Sequence, residues 1–159
     1  MLRKLAIVVS VLVVILGGAF LYYKDTIIET VHFAKQTKET ASKVNEVNKK
    51  LPALIEQAKG SQGATKSEDK SAAEQEIKQQ LITVKQELNK LVQTEPPAKL
   101  KSLQEKLAAS SDEANQQIDE YISQIDNGHF DPEQFEALYE QMKDSPEFKE
   151  AEKYLNMLK

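Results

Sequence analysis

His32 and His129 are the only imidazoles in this 159-residue chain, and there is no cysteine. A histidine with carboxylates at short spacing is the smallest unit from which a metal site or an acid–base pair is built. Asp126-Asn127-Gly128-His129-Phe130-Asp131 contains that unit, two carboxylates around one imidazole. It lacks the ligand spacing of a calcium loop, and no second histidine lies near it. A helix stop at Asn127-Gly128 and a helix N-cap at Asp131 account for the same residues structurally, so structure is the expectation here. His32 is expected on an exposed helix face rather than as a ligand.

The acidic pairs Asp112-Glu113 and Glu150/Glu152 are spaced as solvated helix faces. General acid–base chemistry needs carboxylates held in a dry cleft with separated pKa values, which polar helix surfaces do not provide. The chain carries no glycine-rich phosphate loop and no serine elbow. Without cysteine there is no disulfide, thiolate metal site, cysteine nucleophile or thioether lipid anchor. The expectation is therefore no catalytic residue, no cofactor and no metal ligand, and a protein that is not an enzyme. Met142, Tyr154 and Met157 suit core packing of a C-terminal hairpin better than a partner groove.

The formal net charge is −4, and Arg3 is the only arginine. Setting aside Arg3 and Lys4 leaves 19 basic against 25 acidic residues. An acidic domain repels a phosphate backbone, so nucleic acid is not expected as a partner. Tryptophan is missing and aromatics make up 6% of the chain, so a core must come from Leu, Ile, Val and Ala. That composition favours helix–helix packing.

These residues have to be positioned by elements, and the first is hydrophobic. Leu5–Tyr23 (LAIVVSVLVVILGGAFLYY) has neither charge nor proline. As a helix it would be about 28 Å long at about 1.5 Å per residue, close to the roughly 30 Å hydrocarbon core of a bilayer. Arg3 and Lys4 precede it, and Tyr22, Tyr23 and Lys24 close it, as interfacial residues do. A cleaved secretory signal is the competing reading, with Gly17-Gly18-Ala19 as small residues for cleavage. The apolar run continues through Phe20–Tyr23, which favours an anchor. The basic first turn favours an N-terminus inside and a C-terminal domain outside. Residues 1–24 are thus expected to form a tail and transmembrane anchor, and residues 25–159 a helical extracytoplasmic domain.

Within that domain Val44, Val47, Leu51, Leu54 and Ala58 recur at helical spacing, with Ile27, Ile28, Val31 and Ala34 upstream. Pro52 predicts a kink or restart near Lys50. Residues 59–73 have glycine, serine and charge but no large apolar side chain, which predicts a flexible linker. Ser71-Ala72-Ala73-Glu74 matches a capping box. Ile77, Leu81, Val84, Leu88 and Leu91 form a heptad-type seam, ended by Pro96-Pro97. Leu100, Leu103, Leu107, Ala114, Ile118, Tyr121 and Ile125 form the next. Two short helices follow, starting at Asp131-Pro132, where Phe130 and Phe135 hold staple positions, and at Ser145-Pro146. The fold class expected is all-α: one N-terminal transmembrane helix, an antiparallel three-helix bundle and a C-terminal helical hairpin. Leu88→Asp should melt the domain and Lys85→Asp should barely affect it.

Leu51-Pro52-Ala53-Leu54, Gln57-Ala58, Pro97-Ala98 and the run from Ile118 to Pro132 (IDEYISQIDNGHFDP) carry a resemblance. On them the chain resembles a family of small helical envelope lipoproteins of Bacillus-type bacteria. The resemblance implies a location at the cell envelope and no particular activity. The chain departs from that family at the anchor, because a lipoprotein needs a cysteine after its signal. A hydrophobic helix would have to replace the lipid.

Taken together, the function expected is a membrane-anchored, non-catalytic interaction module outside the cytoplasmic membrane. Its partners would be the bilayer, through Leu5–Tyr23, and a protein or a second copy, through the helix seams. A spanin-like lysis or remodelling protein is the alternative from another class, marked by toxicity on overexpression, and a secreted helical protein after signal cleavage is another. With four residues ahead of the hydrophobic segment, a sensor would act only through a partner.

Overall fold

A computed structural model of the chain describes residues 29–60, 67–96, 101–144 and 149. The expected anchor Leu5–Tyr23, with Ile27 and Ile28, lies outside the described residues, as do Pro97–Leu100 and, apart from Lys149, the second tail helix expected from Ser145-Pro146. Among the described residues all regular structure is helical: α1 (Glu29–Gly60), α2 (Ser67–Gln93), α3 (Lys101–Asp126) and α4 (Pro132–Asp144). No helix among them is long and apolar enough to cross a membrane.

α2 and α3 run antiparallel in a fixed register. Lys78 reaches Asp126, Lys85 reaches Asp119, and Asn89 bonds Asn115 at 2.8 Å. Each step forward along α2 is matched by an equal step back along α3. α1 packs on α2 and on α4, and α2 packs on α3. Lys43, 17 residues before the end of α1, meets Glu87, 20 residues after the start of α2, at 2.8 Å, which sets the two helices antiparallel. The register levels Val47, Leu51, Ile55 and Ala58 of α1 with Val84, Leu81, Ile77 and Ala73 of α2.

The α2 seam is buried as expected: Ile77, Leu88 and Leu91 are fully buried and Leu81 is buried. Ile77 and Leu81 share one cluster with Ile118 and Ile125 of α3 and with Phe130, Phe135 and Tyr139, and Val84 packs against it. Buried leucines and isoleucines of this kind contribute about 1.5–3 kcal/mol each. On α1, Val47, Leu51 and Ala58 are buried, but Ile55 is the deep residue and Leu54 only flanks the core. The stripe continues upstream through Phe33, Thr37 and Thr40, all buried, at the same three-and-four spacing. The side chains of Val31, His32, Ala34, Leu103, Leu107 and Met142 are outside the description, although their backbone is helical.

Three local expectations are corrected. α1 continues without a restart through Pro52, which is exposed. The proline removes the N–H that would serve the Asn48 carbonyl. That carbonyl instead accepts from the Tyr139 hydroxyl of α4 at 2.9 Å. Of the residues 59–73 expected as a flexible linker, Lys59 and Gly60 close α1 and Ser67–Ala73 open α2, while 61–66 lie outside the described residues. Ala73 is buried against the core, and adding helical turns ahead of an anchored residue costs little once the helix is nucleated. Ser71 consequently stands one turn inside α2 and does not cap it.

The α3–α4 corner forms as its residues predict. Gly128 takes φ 68°, and the His129 N–H donates to the Gln124 carbonyl at 2.8 Å while the Gly128 N–H donates to Ile125 at 3.2 Å. Those two bonds are a Schellman stop. Asp131 Oδ1 accepts from the Glu133 and Gln134 N–H groups at 3.0 and 3.1 Å, capping α4. Phe130 and Phe135 close the staple, with ring centroids 5.5 Å apart.

Candidate functional site

The one histidine cluster in the sequence is taken up by this corner. His129 is exposed, and its backbone completes the helix stop. The Asp126 carboxylate pairs with Lys78, and that of Asp131 caps α4. Among the described residues no three His, Asp or Glu side chains converge as a metal would require. Asp112 and Glu113 are exposed on α3.

The least expected charge is Glu87. Its side chain is 3% exposed at the α1–α2 interface, where one carboxylate oxygen accepts from Lys43 at 2.8 Å and from Lys90 at 2.7 Å. Burial pushes its pKa up, but the hydrogen bonds and charges of the two lysines outweigh burial and hold the carboxyl below its ordinary value. Thr37, Thr40 and Ser111 are also buried in this half of the bundle, and Asn115 donates to Asn89 there. The core thus takes in buried polar groups toward the start of α1, beside Phe33, Leu88 and Leu91. A buried, hydrogen-bonded ion pair specifies helix register more than it adds net stability. Heptad spacing counts only apolar positions, so the sequence pattern gave no sign of Glu87 or Ser111.

α3 and α4 diverge beyond their corner and leave an open groove of about 560 Å³. Its walls carry five glutamines (Gln116, Gln117, Gln124, Gln134 and Gln141), the carboxylates Glu113 and Glu120, and an apolar floor of Tyr121, Ala137 and Leu138. Tyr121 is half-buried and meets Phe135 edge-on, with centroids 5.0 Å apart. Burial, and then the neighbouring Glu120 charge, push its phenol above the ordinary value. Among the described residues no lysine lines the groove. Amides, carboxylates and a small apolar floor can hold a helix or peptide by hydrogen bonds and charge. The three-and-four spacing of α3 marks its core-facing side, of which Tyr121 also lines the groove, and the groove was not legible before α4 was placed.

These features define a small all-α domain of packed antiparallel helices with one side open between its last two described helices. The chain belongs to a family of unknown function, DUF6376, whose model matches residues 33–158. That match begins at Phe33, a buried residue of α1. No curated protein and no solved structure matches the chain significantly.

Proposed function

We propose that this protein is a membrane-anchored, non-catalytic helical interaction module whose domain faces the outside of the cytoplasmic membrane. The observation that carries the proposal is the charge-free run Leu5–Tyr23, bracketed by Arg3-Lys4 and Tyr22-Tyr23-Lys24, ahead of a helical domain. The resemblance to small envelope lipoproteins supports the same location, with a hydrophobic helix standing where those proteins carry a lipid. The α2 seam and, among the described residues, Val47, Leu51 and Ala58 of α1 and Ala114, Ile118 and Ile125 of α3 are turned into one chain's own core, so a partner is met on another surface. The α3–α4 groove is the best such surface, having hydrogen-bonding walls and a partly apolar floor.

Protease shaving of intact protoplasts, with a tag at each end, tests the anchor and its orientation. The expected result is loss of the C-terminal tag and a short protected N-terminal fragment in the membrane. Full protection of both tags would place the domain inside and overturn the orientation. Release of a fragment lacking the N-terminal tag before protease is added would overturn the anchor in favour of a cleaved signal.

A further inference from the structure

The buried stripe of α1 runs on past the helix that covers it. Along Val47, Leu51, Ile55 and Ala58 the stripe is flanked by α2 on one side and by α4 on the other, where Tyr139 meets Asn48 and Glu136 meets Lys59. α1 has no comparable interface with α3, so these two helices face each other across the bundle. Asp144, the last residue of α4, lies five residues past Tyr139 and eight past Glu136. α4 therefore ends level with about residues 43–51 of α1. Phe33 lies ten or more residues beyond that level, about 15 Å or more along the helix axis.

Phe33, Thr37 and Thr40 are nevertheless 2%, 4% and 0% exposed. Ser111 of α3, 2% exposed, belongs to the same layer. The α2–α3 pairs level it with residue 93 of α2, and the Lys43–Glu87 pair levels residue 93 with Thr37. α2 closes one side of this layer. On the other side, in line with α4, no described helix covers it.

The chain itself arrives at this slot. α4 stops at its mouth, and residues 145–159 follow. Ser145-Pro146 is a helix-start pair, and Phe148, Leu155 and Leu158 share one face of the helix it would open. Lys149 is helical and pairs with Asp144 at 3.1 Å, which holds the new turn beside the end of α4. A helix over 145–158 would span about 21 Å, enough to reach Phe33. The family match has the same two ends, beginning at Phe33 and closing at residue 158.

From these observations we propose that the C-terminal segment, residues 145–158, docks in the slot between α1 and α3 in line with α4. Phe148 enters at the mouth, Leu155 lies by Thr37 and Ser111, and Leu158 lies by Phe33. The slot is thus a helix-binding surface closed in cis by the chain's own end. Attachment to α4 gives the segment a high effective concentration, so a contact of three apolar side chains stays formed. The α3–α4 groove remains open to a partner.

The absence of cysteine makes the test direct. In the full-length chain, Thr37→Cys with Leu155→Cys should form an intramolecular disulfide under mild oxidation. Its yield should exceed by about tenfold that of Gln116→Cys with Leu155→Cys, which scores placement in the α3–α4 groove. A groove product in excess, a disulfide between two chains, or no disulfide in either pair would overturn the proposal. Leu155→Asp, read by hydrogen exchange on the full-length chain, checks the same contact, because an unpaired charge does not stay buried there. Amides of residues 33–40 should lose about tenfold in protection while those of residues 51–58 keep theirs. Unchanged exchange over 33–40, or equal loss at both ends of α1, would sink the docking. Both measurements are made on whichever fraction holds the chain, membrane or soluble, so failure of the docking is distinct from failure of the anchor.

Discussion

The Tyr139 hydroxyl donates to the Asn48 carbonyl at 2.9 Å, and Asn48 lies four residues before Pro52. In an unbroken helix that carbonyl accepts from the N–H four residues ahead, which a proline does not have. The buried tyrosine of α4 thus supplies the donor that the helix loses, and its hydroxyl also contacts the Asn48 side-chain oxygen. A local defect in α1 becomes a docking point for α4.

This linkage is measurable by a double-mutant cycle. Tyr139→Phe keeps the ring and removes the donor, and should cost about 1–2 kcal/mol by urea unfolding. In a Pro52→Ala background the Asn48 carbonyl regains a helical N–H, and the same substitution should cost about 0.5–1 kcal/mol less. Equal costs in the two backgrounds would uncouple the tyrosine from the proline.

Glu87 makes stability depend on acid. Its carboxyl titrates below its ordinary value because hydrogen bonds from Lys43 and Lys90 outweigh burial, and Glu136 is lowered in the same direction by Lys59. A lowered folded pKa gives stability that is complete above the unfolded value and lost as pH falls through the folded one. The thermal midpoint by circular dichroism should therefore drop as pH is lowered through and below about 4.5, the ordinary value of the glutamate. Glu87→Gln should lower the midpoint at neutral pH, costing about 1–3 kcal/mol, and flatten the acid dependence. Parallel pH curves for the two proteins would remove Glu87 as the source.

Leu88 and Lys85 lie on one helix and should behave oppositely. Leu88 is fully buried, so Leu88→Asp places an unpaired charge in the core and should abolish cooperative melting. Lys85 pairs with Asp119 at the surface, so Lys85→Asp sets two carboxylates together and should cost about 0.5–1 kcal/mol. That is more than the sequence alone suggests, because the partner belongs to another helix. Similar melting curves for the two variants would overturn the packing of α2.

The α3–α4 corner, with Gly60 at the end of α1 for comparison, predicts three small effects in chemical denaturation. Gly128→Ala meets open space but must hold φ 68°, and should cost about 1 kcal/mol. Gly60→Ala also meets open space within helical backbone, and should be neutral or stabilise by about 0.5 kcal/mol. Asp131→Ala removes the cap of α4 and should cost about 1 kcal/mol. A Gly128→Ala variant as stable as Gly60→Ala would mean that the left-handed stop is dispensable.

Local signals were legible from residues alone wherever a short-range rule decides the outcome. Ile77, Leu88 and Leu91 follow the heptad, Gly128 follows the left-handed stop, and Asp131 with Phe130 and Phe135 follows the capping and staple geometry. Each depends on residues within a turn or two of one another. Thr37, Thr40 and Ser111 sit in the same stripes but are polar, so an apolar pattern passes over them although their positions are buried.

Residue types and spacing suffice for the helical class, the core stripe of α2, the corner before α4 and the charge-free run Leu5–Tyr23. Tertiary structure alone decided that Pro52 stays inside α1, because its missing donor is replaced from Tyr139, 91 positions from Asn48. It also decided that Glu87 is buried between two lysines and that α3 and α4 part to leave a groove. The physical reason is range. Helix starts, stops and stripes arise from neighbours along the chain, whereas the compensation of a lost hydrogen bond, the neutralisation of a buried charge and the shape of a cleft depend on which helices meet and at what register.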